Sequence, residues 1–190
     1  MVHRRALLPA LVLVTACSSA PQARVVSGEQ STGAAIAAMQ QGGVVFAPYM
    51  ELPQLGPEAT DQHYRCIDAV NRAVGERLAS RYAVRVGSPA ADPRTRLPAW
   101  ALSPGGPRVA VHIDAFQCGK VLGDPGSVAA KSYTEDPGNE HLGVVVLTVH
   151  DRTTGNAVIR IRGEANEGNG LAAVVGAAAA AIEVLVPATN

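Results

Sequence analysis

The segment LGVVVLTVHDRTTGNAVIRIRGEA, Leu142 to Ala165, places two runs rich in β-branched residues on either side of a polar break at Thr153 to Asn156. Side chains alternate faces along a strand, and Asn and Gly accept turn dihedrals, so this pattern predicts an antiparallel hairpin. Two strands cannot bury an apolar face by themselves. The hairpin therefore requires further strands beside it and a cover over one side.

Immediately upstream, RVAVHIDAFQCGKV, Arg108 to Val121, supplies one such strand. Strict alternation points Val109, Val111, Ile113 and Ala115 one way and Ala110, His112, Asp114, Phe116 and Cys118 the other. Downstream, Asn169 can cap a helix reaching about Val186, with Val174, Val175, Ile182, Leu185 and Val186 as its larger apolar side chains among many alanines. A second helix is expected from Thr60 or Asp61 to about Tyr82. Tyr64, Ile67, Val70, Val74 and Leu78 recur there at steps of three and four, and Asp61, Arg65, Asp68, Arg72 and Glu76 make an opposite face of alternating sign. VVFAPYM (Val44 to Met50) and YAVRVGSP (Tyr82 to Pro89) read as short strands bounded by Gly and Pro.

The resulting order, β-α-β-β-β-β-α, predicts an α/β domain of the α+β type, a mainly antiparallel sheet with two helices packed on one face. Two stretches interrupt it without periodicity. Ala90 to Pro107 is a proline-rich loop carrying Trp100, the sole tryptophan, which can either fold back as a lid on the core or serve as a partner contact. Asp124 to His141 holds two Asp-Pro-Gly triplets.

Length and charge narrow the function. A chain of 190 residues has room for one domain plus a tail, and its 16 basic and 16 acidic residues form no footprint for nucleic acid. Aromatic residues make up only 4%, so the core must be built from small aliphatic side chains. The sequence holds no Gly-rich phosphate loop, zinc-binding spacing or nucleophile elbow. His112 with Asp114 is the best remaining acid/base or metal-ligand pair, but an i, i+2 spacing on a strand recurs freely by chance. No catalytic residue, metal or cofactor is expected.

The N-terminus reads MVHRR, then ALLPALVLV, then TAC: a basic region, a short apolar run and small residues before a cleavage point. Ala6 to Val14 is about half the length of the roughly 20-residue span a bilayer requires. Val14, Thr15, Ala16 and Cys17 resemble the lipobox of bacterial lipoproteins. The resemblance implies a signal peptide over 1–16, lipidation of Cys17 and attachment to the cell envelope. Ser18, in place of the Asp that marks inner-membrane retention, implies an outer-membrane address facing the periplasm. Several acyl chains anchor what one holds only marginally. Residues 17–43, rich in Ser, Ala, Gln and Gly, are then expected to be a flexible tether with a short helical turn between Ser31 and Gly42, and 44–190 the globular domain.

Cys66 and Cys118 remain as an even pair in an exported chain, which makes a disulfide between helix and strand the expected state and two buried thiols the alternative. The whole arrangement, from VVFAPYMELPQL through HYRCIDAVNRAVGERLASRY to the closing helix, resembles small bacterial envelope lipoproteins, notably the auxiliary lipoproteins of ABC-type lipid-transport systems. That likeness implies a non-enzymatic accessory or adaptor of an envelope protein complex. Its partners would be the membrane, reached through the N-terminal lipid, and that complex. The alternative is a periplasmic module that binds a lipid or another small apolar ligand.

Overall fold

The computed structural model describes residues 20–49, 61–87, 105–119, 121–122 and 141–187. Trp100, the Asp-Pro-Gly stretch and everything before Ala20, Cys17 included, lie outside them.

The hairpin forms as its alternation requires. β6 (Leu142–Asp151) and β7 (Asn156–Asn166) pair antiparallel around a turn that ends at Gly155, φ 73°. β4 (Val109–Cys118) lies antiparallel on the other side of β6, with the short β5 (Val121–Leu122) paired to its end. β2 (Val44–Ala47) runs parallel to β4, and β3 (Val84–Val86) runs parallel to β2. Between β2 and β3 comes α2 (Asp61–Ala79), the crossover that two parallel neighbours need. The sheet is therefore mainly antiparallel, in the order β1-β7-β6-β4-β2-β3 with β5 beside β4. Its first strand, β1 (Gln22–Ser27), pairs antiparallel with β7 at the edge.

That edge strand corrects the expected tether. From Gln22 onward the segment is folded: β1 is followed by a 3-10 turn at Glu29–Ser31 and by α1 (Thr32–Gly42). The reason is physical. An edge strand is held by backbone hydrogen bonds to one neighbour and needs little apolar surface, and α1 buries only Ala35 and Met39. Neither leaves a strong apolar period.

α2 and α3 (Gly170–Glu183) cover one face of the sheet, and their apolar sides join β2, β4, β6 and β7 in one core cluster that also takes Ala35 and Met39 from α1. Asn169 caps α3 as expected, its side-chain oxygen accepting from the Ala172 N–H at 2.9 Å. α3 sits directly on the strands. A Cβ built on Gly143 would lie 2.1 Å from the Ala173 carbonyl carbon, and one on Gly163 would lie 2.0 Å from the Ala177 carbonyl oxygen. The two glycines and the alanine face of α3 thus set the helix-to-sheet distance.

Irregularities shift the strand phase. In β4, Ile113 pairs with Leu147 but Ala115 pairs with Val146, so Asp114 is an inserted bulge residue. Beyond it Phe116 and Cys118 join Val109, Val111 and Ile113 in the core beneath the helices. Uninterrupted alternation assigned them to the opposite face. A similar insertion at Val26 in β1 leaves that side chain exposed.

Replacing Gly163 with Ala is expected to destabilise the fold by about 3 kcal/mol, because a methyl meets backbone that cannot yield without moving α3. Gly33→Ala, at a helical position with open space, should instead stabilise by about 0.5 kcal/mol. Urea unfolding of both variants measures the contrast.

Candidate functional site

Of the residues singled out in the sequence, Cys66 and Cys118 are brought together. They form a disulfide with a Cα–Cα distance of 6.2 Å across 52 residues of chain. Cys66 is fully buried on the core side of α2. The bulge at Asp114 is what turns Cys118 toward it. Around the bridge His63 is buried and stacks on Phe116 with ring centroids 5.9 Å apart, and Tyr49 meets the edge of the same ring at 5.0 Å.

His112 and Asp114 lie on the face of the sheet opposite the helices, where Val45, Ala47 and Ala110 form a second, smaller buried cluster. Their nearest atoms, His112 Nδ1 and Asp114 Oδ1, are 4.0 Å apart, longer than a hydrogen bond. The other carboxylate oxygen of Asp114 is engaged elsewhere. It accepts from Arg160 Nη2 at 2.7 Å and from the Thr148 hydroxyl at 3.3 Å. Asp114 therefore ties β4 to β6 and β7. Arg160 is the partner that sequence reasoning missed. The available signal was an acidic residue inside one strand with an outward-facing Arg on the hairpin beside it.

His150 is also on this face, buried, with its ring 6.4 Å from that of His112. Burial holds both imidazoles below the usual histidine range. For His112 the Asp114 carboxylate opposes that shift and His150 adds to it, and for His150 a backbone hydrogen bond at Gly155 and the Asp114 carboxylate oppose it. At the hairpin turn, Arg108 donates to Asp151 Oδ2 at 2.8 Å and the Thr153 N–H donates to Oδ1 at 2.8 Å. These bonds, that from Arg108 foremost, hold the Asp151 carboxyl down at about 2. Among the described residues no three His, Cys, Asp or Glu side chains converge as a metal site would require, and no helix is long and apolar enough to cross a membrane. A depression between α2 and α3, lined by Ala73, Glu76, Arg77, Ser80, Ala179 and Glu183, is open and is bridged by the Arg77–Glu183 ion pair.

Chemically, the Asp114 cluster is a cross-strand ionic clasp. Its carboxylate is committed to a guanidinium and a hydroxyl, and it is not positioned to orient the imidazole of His112.

No family model and no curated protein matches the sequence. Among solved structures, the PelC dodecamer from Paraburkholderia phytofirmans is similar at 12% identity and a TM-score of 0.49, covering 89% of this chain and 99% of that one. A point variant of the same protein gives 12% identity and a TM-score of 0.43, covering 87% and 96%.

Two outcomes follow from this geometry. Alkylation of the denatured, unreduced protein should leave Cys66 and Cys118 unlabelled, and reduction should expose both thiols and cost about 4 kcal/mol of stability in the loop-closure picture. Peptide mapping and urea unfolding read these. The histidines give a pH dependence. Their folded-state pKa values lie below the unfolded value, so the unfolded chain binds more protons and stability falls as pH drops from about 7 to about 5. His112→Asn and His150→Asn should each flatten that fall, and an unchanged slope in both would refute the assignment.

Proposed function

We propose that this protein is an exported bacterial lipoprotein, fastened to the cell envelope through lipid on Cys17, that serves as a non-enzymatic accessory of an envelope complex. The observation that carries the reading is the pairing of Cys66 with Cys118. Disulfides persist in oxidising compartments outside the cytosol. Of the three cysteines this leaves Cys17 alone, at the end of a run that resembles a lipobox.

The accessory role is supported by the partly exposed ionic side chains, Asp114 with Arg160 and Arg162 with Glu164, on the sheet face opposite the helices. The pair best suited to acid/base work, His112 and Asp114, is separated by 4.0 Å, and the carboxylate is held by Arg160 and Thr148. A polar face organised in this way suits protein contact. The ligand-binding alternative draws less support, because the backbone of α3 lies against Gly143 and Gly163 and leaves no space for an apolar molecule between that helix and the strands at those positions. Outer-membrane placement and a lipid-transport complex rest on the sequence resemblance alone.

In cells fed a labelled palmitate analogue, the chain should acquire label and fractionate with membranes, whereas Cys17→Ala should do neither. Purification from detergent-solubilised membranes without crosslinking should then retrieve an envelope protein in fixed ratio. A labelled chain recovered alone would overturn the accessory role while leaving the anchor intact.

A further inference from the structure

The start of β1 fixes how a domain fastened at Cys17 must stand on its membrane. Gln22 pairs with Glu164, Glu164 with Val144, and Val144 with Gln117, a row that crosses the sheet at one end. The next residue, Cys118, is bonded to Cys66 in the second turn of α2, and Gly170, the first residue of α3, lies against Gly119, where an added Cβ would come within 2.7 Å of the Gly119 nitrogen. Both helices therefore begin at the end of the domain where the chain enters. They run away from it in parallel, meeting again at the Arg77–Glu183 pair and at the Tyr82 hydroxyl bonded to the Leu185 carbonyl.

Only Ser18, Ser19, Ala20 and Pro21 separate Cys17 from Gln22. Fully extended, that leash reaches about 18 Å. β6, ten residues long, spans about 31 Å. The leash is shorter than the long axis, so the hairpin turn at 152–155 cannot be the end directed at the bilayer. The end carrying Gln22 and the starts of α2 and α3 is.

That end also gathers exposed apolar side chains. Tyr64, in the first turn of α2, is 53% exposed, and Leu171 and Val175, one turn apart at the start of α3, are 40% and 38% exposed. The aliphatic pair shares one face of its helix, and tyrosine, with an apolar ring and a polar tip, suits a membrane interface.

We propose that Tyr64, Leu171 and Val175 are the foot of the domain, exposed side chains at its chain-entry end that enter the interfacial layer of the bilayer holding Cys17. The occupant is a lipid surface because the leash length and the register of β1 bring this end, and not the opposite one, to the membrane. The inference rests on lipidation at Cys17, and its test separates the two.

The lipidated full chain, reconstituted into phosphatidylcholine vesicles with brominated acyl chains, is compared as parent, Tyr64→Trp and Val86→Trp, the last at an exposed position on the opposite sheet edge. The fluorescence that Y64W adds over the parent should be quenched by more than half relative to non-brominated vesicles, and that of V86W should be unchanged. A further variant, Leu171→Trp, should be quenched like Y64W. A palmitate-labelled chain whose Y64W and L171W signals escape lipid quenching overturns the foot alone. If those signals are instead shielded from aqueous acrylamide, the patch belongs to a protein partner, which equally overturns it. Absence of palmitate label in the parent overturns foot and anchor together.

Discussion

One inserted residue in β4 organises both faces of the sheet. Asp114 has no partner position of its own on β6, and the strand phase changes across it. The change turns Phe116 and Cys118 under the helices, where the disulfide to Cys66 fastens α2 to the end of β4. It also leaves the Asp114 carboxylate on the face opposite the helices, in reach of Arg160 and Thr148. Had the strand continued in register, Cys118 would face away from α2 and the bridge could not form. The covalent link in the core and the ionic clasp outside it are two consequences of one bulge.

The second constraint is how closely α3 lies on the sheet. Ala173, Ala177, Ala178 and Ala181 are all fully buried, and Gly143 and Gly163 let the helix backbone at Ala173 and Ala177 come down onto the strands. A helix of alanines over glycines buries less area per residue than one of leucines. It compensates with contact made at backbone distance, where dispersion is strongest. The few aromatics of the core, Phe46, Phe116, Tyr49 and Tyr82, belong to the same cluster as the apolar side of α2.

The readable elements were those with periodicity. The hairpin, α2 with its apolar stripe, and α3 with its Asn169 cap all carry their signal locally. β1 and α1 do not, since a six-residue edge strand with only Val25 half-buried and a helix burying two side chains resemble a polar linker in composition. The phase change at Asp114 was likewise hidden. Alternation counted through VHIDAFQC stays regular on paper, and only pairing against β6 reveals the extra residue. The disulfide could be suggested by compartment and an even count, but its geometry depended on that unseen bulge. Arg160 was missed for a related reason, because its partner is defined by register across three strands.

The folding of residues 22–42 changes what an anchor at Cys17 would accomplish. A tether of about 26 residues would let the domain tumble freely above the membrane, whereas a leash of four residues leading straight into a sheet edge restrains its orientation as well as its height. With the domain anchored at that end and its strands running away from it, the helix-covered face and the face carrying His112, Asp114 and Arg160 would both look sideways, along the membrane plane. A partner recognised by the polar face would then be met laterally, at the height of the headgroups and just beyond them. Its own envelope segment would have to stand beside this domain. Placement by the anchor and recognition by the sheet would thus act along perpendicular directions, so that the first selects the layer in which the second operates.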